Sequence, residues 1–285
     1  MLDETVAKTP NPSDVPVDSA VGESVISTRF SCVIHLYKTR FSNLFSAIDT
    51  YNGHVIAVKT INKKRVMMNH HSKHVERELR LISNISHAHI VKYITWFHDE
   101  KRIYYVMELG VMNVAQLLEV HYSGGIPERT VLKIVSHATS GLRYLHHLGI
   151  IHRDIKPSNL LLVKEGDSHI VKICDFGCSV HTNEDDVRKS VIGTTPYMAP
   201  EIVKGTGHSF PVDIWAIGVT AHELLTNTLP FDGSSPIEIC RRIVKEPYVP
   251  PVGLSSFLYE LLTGCLKKEP AMRPTTYILL NELIF

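Results

Sequence analysis

The chain has 285 residues, of which 44% are hydrophobic and 21% charged, and its formal net charge is +1. That length can bury a sizeable core, as one large domain or two lobes. Near-neutral charge argues against nucleic acid or anionic membrane as the main partner, and no apolar run approaches a membrane span. The opening Met1-Leu2-Asp3-Glu4 lacks the basic flank and apolar core of a secretory signal. Cys32, Cys174, Cys178, Cys240 and Cys265 are odd in number and scattered, which fits reduced thiols in the cytoplasm or nucleus.

Residues 1–28 carry Pro10, Pro12 and Pro16, several acids and few large apolar groups, the composition of a flexible tail. From about Phe30 to Glu108 the pattern is strand-rich with one helix. In His54–Ile61, Val55, Ala57, Lys59 and Ile61 fall on one face of a strand. A helix is predicted over 66–84, where Val75, Leu79 and Ile82 recur at helical spacing. His70, His71 and His74 lie there; they read as a solvated face rather than a metal site.

After Met107-Glu108-Leu109-Gly110 the pattern turns helical. Pro127 opens a helix with Leu132, Val135, Leu142 and Leu145 on one face, and Gly149 closes it. Leu160–Val163 reads as a strand. A second strong helix is predicted over 212–225, with Ile214, Ile217, Ala221 and Leu224 inward and Pro230 beyond its end.

The chemistry concentrates in His152-Arg153-Asp154-Ile155-Lys156-Pro157-Ser158-Asn159 and Asp175-Phe176-Gly177. These set a carboxylate, an ammonium, an amide and a second carboxylate on two short loops a hairpin apart. Phosphoryl transfer from a magnesium nucleotide needs that set. Asp154 can orient a hydroxyl and accept its proton, and Lys156 can offset charge on the transferring phosphate. Asn159 and Asp175 offer hard oxygen ligands to Mg²⁺.

With these motifs in this order, the chain resembles the eukaryotic protein kinase family over residues 30–285. The resemblance implies an α+β bilobal kinase fold, with a small β-rich N-lobe holding one main helix and a larger, mainly helical C-lobe. The expected division is tail 1–28, N-lobe 29–107, hinge 108–111 and C-lobe 112–285, with ATP and Mg²⁺ as cofactors. Lys59, after Ala57-Val58, matches the phosphate-pairing lysine. Its expected partner is Glu78, nine residues before His87. Glu76 is the rival, but residues two apart on a helix point about 200° apart, so only one faces the cleft. Leu36, Leu44, Ala57 and Leu161 match the positions around adenine, Met107 the gatekeeper, and Glu108 to Gly110 the hinge. Ile82, Tyr93, His152 and Phe176 match the stacked regulatory column.

Leu36-Tyr37-Lys38-Thr39-Arg40-Phe41-Ser42-Asn43-Leu44 departs from the family. It aligns with the phosphate-cradling glycine loop, yet Tyr37, Thr39 and Ser42 stand at the three glycine positions. Side chains there obstruct backbone approach to phosphate and are expected to raise the KM for ATP.

Gly193 to Glu201 looks like the segment that docks a protein substrate. The resemblance implies that Thr194 bonds near Asp154 and Lys156, and that Glu201 pairs with Arg273. Lys156 favours serine/threonine substrates, since tyrosine kinases usually carry other residues there. Ser158 and Val114 stand at or near positions where basophilic relatives carry acids, which speaks against strong preference for basic peptides. Arg153 is the residue that in many relatives binds a phosphate on the activation loop. Ser190, four residues before Thr194, is the expected phosphosite, with His74 and Arg188 completing a basic pocket and an upstream kinase or autophosphorylation supplying the phosphate. Phe97-His98-Asp99 and Cys178 to His181 look like Aurora kinases, while Gly193 to Met198 looks like MAP-kinase-cascade kinases. No subfamily is assigned. The leading reading is an active serine/threonine protein kinase, and the alternative is a pseudokinase serving as a scaffold or allosteric module.

Overall fold

The computed structural model describes residues 29–38, 42–64, 78–79, 81–82, 85–182 and 193–283. The tail, most of the 66–84 helix, Thr39, Glu76, the three histidines of that helix, Arg188 and Ser190 lie outside the described residues. The chain divides into two compact units. One runs to residue 86 and adds 91–111 and 163–169; the other holds 87–90, 112–162 and the remainder from 170.

The first unit is built on an antiparallel sheet of β1 (Phe30–Lys38), β2 (Ser42–Asp49), β3 (Val55–Asn62), β4 (Tyr93–His98) and β5 (Arg102–Glu108), in the order β1-β2-β3-β5-β4. Position three in that order explains β3. Its alternation predicts one buried face, but Ile56, Val58 and Thr60 are buried as well as Ala57 and Ile61, and Val55 is exposed. The second face packs Ile56 and Val58 with Phe30, Ala47, Tyr104 and Val106 into a core of their own. A strand covered on both faces loses its polar–apolar alternation. Residues 78, 79, 81 and 82 are helical, and Glu78 and Ile82 are buried.

The second unit is mainly helical. A capping box opens α1 (Val114–His121): the Asn113 side chain accepts from the Gln116 amide, and the Gln116 side chain accepts from Asn113 N–H. Helix α2 (Glu128–His147) follows Pro127, and Gly149 beyond it has φ +73°. Its buried stripe includes Val131 and Ile134, whereas Leu132, predicted inward, is only half-buried. The strands β6 (Met112–Asn113), β7 (Ile150–Ile151), β8 (Leu160–Glu165), β9 (Ser168–Ile173) and β10 (Val180–His181) form two small sheets that carry the loops between them. Helices α3 (Pro200–Lys204), α4 (Pro211–Thr226), α5 (Pro236–Lys245), α6 (Ser256–Cys265) and α7 (Thr276–Leu283) complete the unit.

Helix α4 is buried on nearly every side, so the inward set extends well beyond the four predicted residues to Val212, Trp215, Val219 and others. Trp215 stacks on Phe231 with ring centroids 5.7 Å apart. Gly218 sets how closely the α6 end approaches: a Cβ there would lie 2.8 Å from Cys265 Cβ and 2.9 Å from Leu266 Cγ. Gly218→Ala is therefore expected to destabilise by about 1–3 kcal/mol through overpacking, despite alanine's better helix propensity. Urea unfolding of the variant against wild type measures it. No helix among the described residues is long and apolar enough to cross a membrane.

Candidate active site

The catalytic loop is held from beneath by one buried carboxylate. Asp213 Oδ2 accepts the His152 N–H at 3.0 Å, Oδ1 accepts the Arg153 N–H at 2.8 Å, and His146 Nε2 lies 2.9 Å from Oδ2. Burial alone would raise the Asp213 pKa, but the bonds from His146 and Arg153 and the nearby imidazoles outweigh it and hold it below the usual carboxylate range. The clamp keeps Arg153 at φ +67°, a conformation costly for a side-chain-bearing residue.

His152 extends this frame. Its Nε2 lies 3.2 Å from the Cys174 carbonyl, and its Nδ1 accepts the Asp154 N–H at 3.3 Å. One neutral tautomer, protonated at Nε2, satisfies both contacts. The ring meets Phe176 edge-on with centroids 5.3 Å apart.

Four donors converge on Asp154. Oδ1 accepts from Thr194 N–H at 3.1 Å and from the Thr194 hydroxyl at 2.8 Å. Oδ2 accepts from Lys156 Nζ at 2.7 Å and from Asn159 Nδ2 at 2.8 Å. Lys156 also donates to the Thr194 hydroxyl, so the three side chains form a closed ring. A second bond from Asn159 Nδ2 to the Asp154 carbonyl, 2.8 Å, commits its amide nitrogen. The amide oxygen is then the atom Asn159 can offer a cation. Asn159 is tied to the next loop, because its carbonyl accepts the Cys174 N–H at 3.0 Å. Asp175 follows at φ +64°. An amide oxygen just before β8 and a carboxylate just after β9, on paired strands, suit a small hard dication such as Mg²⁺.

In the first unit, Lys59 Nζ bonds Glu78 Oε1 at 3.3 Å, and the Glu78 side chain is 4% exposed. Register places Tyr37, Leu44, Lys59 and Tyr105 in one row across β1, β2, β3 and β5. Ser46, Ala57 and Met107 form the next row on the same face. The tyrosine at the first glycine position thus lies on the Lys59 face, and it is 64% exposed. Neither Tyr37 nor Ser42 has positive φ. Both residues lie on strand backbone, at the end of β1 and the start of β2. At the hinge, the Glu108 N–H is bonded to the Lys92 carbonyl at 3.0 Å and its carboxylate accepts the Lys92 N–H at 2.6 Å. Leu36 is exposed, Gly110 half-buried, and Leu161 sits on β8 opposite Asn113.

The Arg153 guanidinium donates through Nε to the Cys178 carbonyl at 2.6 Å, and Nη1 lies 3.4 Å from His208 Nε2. Burial, with the charges of Asp154 and Asp175, pushes the Cys178 thiol up to about 12, so it is not a nucleophile here. Val114 is fully buried, a core residue rather than a surface a peptide could touch, while Ser158 is exposed. Sequence reading missed the Asp213 carboxylate as a backbone clamp, His146 as its third partner, and the Tyr197–Glu223 bond of 2.6 Å. These partners are separated by dozens of residues, and no local spacing signals them.

A strand lysine paired with a buried glutamate, and a loop aspartate ringed by lysine, asparagine and threonine, are groups used by phosphoryl-transfer enzymes. A model of the protein kinase domain matches residues 38–285, and the chain belongs to that family. Protein kinases of this family use ATP with Mg²⁺. The chain is 34% identical over 248 residues to MAP3K epsilon protein kinase 1 of Brassica napus, covering 86% of this chain and 19% of that protein. It is 31% identical over 250 residues to Aurora kinase B of Drosophila melanogaster, covering 86% of this chain and 74% of that one. Aurora kinase B of Danio rerio is 32% identical over 263 residues, 92% of this chain and 80% of its own. The chain thus spans about a fifth of the plant kinase it resembles.

Proposed function

We propose that the chain transfers the γ-phosphoryl group of Mg-ATP to serine and threonine hydroxyls of proteins, through a kinase domain of residues 29–285 with its hinge at 108–111. The observation that carries the reading is the closed ring of Asp154, Lys156 and Thr194, with Asn159 bonded to its aspartate. Asp154 accepts the substrate hydroxyl's hydrogen bond in place of the Thr194 hydroxyl and draws off its proton as the new phosphorus–oxygen bond forms, while the bond from the γ-phosphorus to the bridging oxygen breaks and ADP leaves. Lys156, already bonded to Asp154, neutralises negative charge on the moving phosphoryl group. Asn159 and Asp175 would hold Mg²⁺, which would supply positive charge against the phosphates. Lys59, aligned by Glu78, pairs with the phosphates from the sheet.

Supporting protein rather than small-molecule substrates is the segment Gly193 to Glu201, fixed at one end by Thr194 and at the other by the Glu201–Arg273 pair. Phosphoamino-acid analysis after transfer from γ-labelled ATP to a generic protein substrate tests this reading. Label is expected on serine and threonine and not on tyrosine; label on tyrosine, or on none of the three, would overturn it. Regulation is read in Arg153: phosphate on Ser190 would compete for its guanidinium and order the activation loop. Ser190→Ala is expected to lower both activity and loop phosphorylation, and no change in either removes that part.

Tyr37 favours a second reading, a pseudokinase with weak turnover, because its side chain occupies the Lys59 face. The two readings part on turnover at saturating Mg-ATP, whereas nucleotide affinity reads what the substituted loop costs. Tyr37→Gly with Ser42→Gly is expected to lower the KM for ATP by about fivefold, the worth of one recovered backbone hydrogen bond of ~1 kcal/mol. An unaltered KM would show that the substituted loop does not limit nucleotide binding.

A further inference from the structure

Within the second unit, segment 87–90, helix α2 and strand β9 meet around three imidazoles. Gly141 permits the approach: a Cβ there would lie 2.7 Å from the His89 carbonyl oxygen and 2.9 Å from Ile173 Cδ1. The His89 carbonyl accepts the Ile173 N–H at 2.9 Å, and Ile90 bridges Ile173 in parallel. The rings of His89 and His137 stack with centroids 4.2 Å apart and planes 21° from parallel.

Together the two rings grip one residue of β9. His137 Nδ1 lies 3.1 Å from the Val171 nitrogen, and His89 Nδ1 lies 3.0 Å from the Val171 carbonyl oxygen. A carbonyl only accepts, so His89 carries its proton on Nδ1. A peptide N–H only donates, so His137 is bare at Nδ1. Alongside, His87 Nδ1 accepts the His89 N–H at 3.1 Å and its ring stacks on Tyr144 at 5.1 Å.

We propose that His137, with His89, is an acid-sensitive positioning clasp on β9: in the neutral state it fixes the strand that delivers Asp175, and protonation of His137 releases Val171 and loosens that strand. The inference rests on the metal-holding role given to Asp175 above. Protonating His137 Nδ1 turns the acceptor into a donor that faces another N–H. It also sets a charge beside His89 and one helical turn from Lys133. Burial, then the charges of His89 and Lys133, hold the His137 imidazole down at about 4, against 6.5 for an ordinary histidine. Burial and His89 lower His87 as well. The titratable groups around the stack are His87 and His89 on segment 87–90, Lys133 and Tyr144 on α2, and His169 and Lys172 flanking Val171 on β9. Because the closed form has the lower pKa, the open form binds more protons between the two values. The clasp is at full strength above about pH 6.5, weakens as pH falls toward about 4, and is flat below.

Amide hydrogen exchange at Val171, corrected for intrinsic rates, tests the clasp without nucleotide or substrate. From about pH 7 to about pH 5, wild-type protection is expected to fall about tenfold, the linkage value reduced for solvent reaching the ring. His137→Asn keeps an acceptor near Nδ1 but cannot titrate, so its protection should not change with pH. Wild-type protection that stays level, or an equal slope in the variant, overturns the clasp, and the wild-type arm stands even if the variant fails to fold. The second readout is the Mg²⁺ concentration for half-maximal transfer, expected to rise with acidity in wild type and stay level in His137→Asn. A slope in protection with none in magnesium dependence overturns the positioning of Asp175. Absence of transfer at any pH counts against the proposed function and leaves the exchange result to judge the clasp.

Discussion

Asp154→Asn is expected to lower kcat by about 10²–10⁴-fold, the usual contribution of a positioned base, while the KM for ATP changes by less than about threefold. The geometry separates the two effects. Asp154 contacts Thr194, Lys156 and Asn159, and none of these bonds is to a residue proposed to contact adenine. An asparagine oxygen can still accept both bonds from Thr194. Its amide nitrogen would face the donors of Lys156 and Asn159 where Oδ2 now accepts. The variant loses the anionic group and disturbs Lys156, so the loss appears in the chemical step. Steady-state kinetics with ATP varied at fixed protein substrate reads both parameters. A parallel rise in KM would place Asp154 in nucleotide binding instead.

Arg273→Ala should be the most destabilising single change among those considered, at about 3–5 kcal/mol in urea unfolding. The Arg273 side chain is 0% exposed and Glu201 8%. The guanidinium meets the carboxylate with two bonds of 2.7 and 2.8 Å. It also donates to the carbonyls of Lys267 at 2.8 Å and Pro211 at 2.9 Å. Truncation leaves a buried carboxylate without its cation and strips three carbonyls of a donor, since Nη2 also bonds the Lys268 carbonyl at 3.2 Å. It also removes the cation 5.1 Å above the Trp215 ring. Arg273→Lys should recover less than half, since an ammonium cannot form the planar fork. Pairing Arg273→Leu with Glu201→Leu should cost less than either change alone, because no charge is then left unpaired.

What could be read in advance followed how local the physics was. The His152 to Gly177 chemistry was legible because its groups sit close in sequence and each residue type suits one role. Lys59 and Glu78 were legible through fixed offsets from neighbouring motifs. The both-sided burial of β3 was not, since the partner layer is assembled from Phe30, Tyr104 and Val106 on other strands. Asp213 could be placed at the start of a buried helix, yet its grip on the His152 and Arg153 amides depends on a chain reversal 60 residues long. The row that sets Tyr37 and Lys59 on one face, with Leu44 between them, required strand register across three strands. His89 and His137 are unremarkable in the sequence; only the missing side chain at Gly141 lets them meet.

With Asp154 and Lys156 proposed to carry the chemistry and Asn159 and Asp175 the metal, any weakness is expected in nucleotide binding. Single-turnover transfer from saturating Mg-ATP tests it directly, because saturation removes affinity from the comparison. Wild type is expected to transfer label to a protein substrate at least about a hundredfold faster than Asp154→Asn or Asp175→Asn. Equal, background-level transfer by all three proteins at saturation would contradict it, and would make the chain a binding module with a kinase fold.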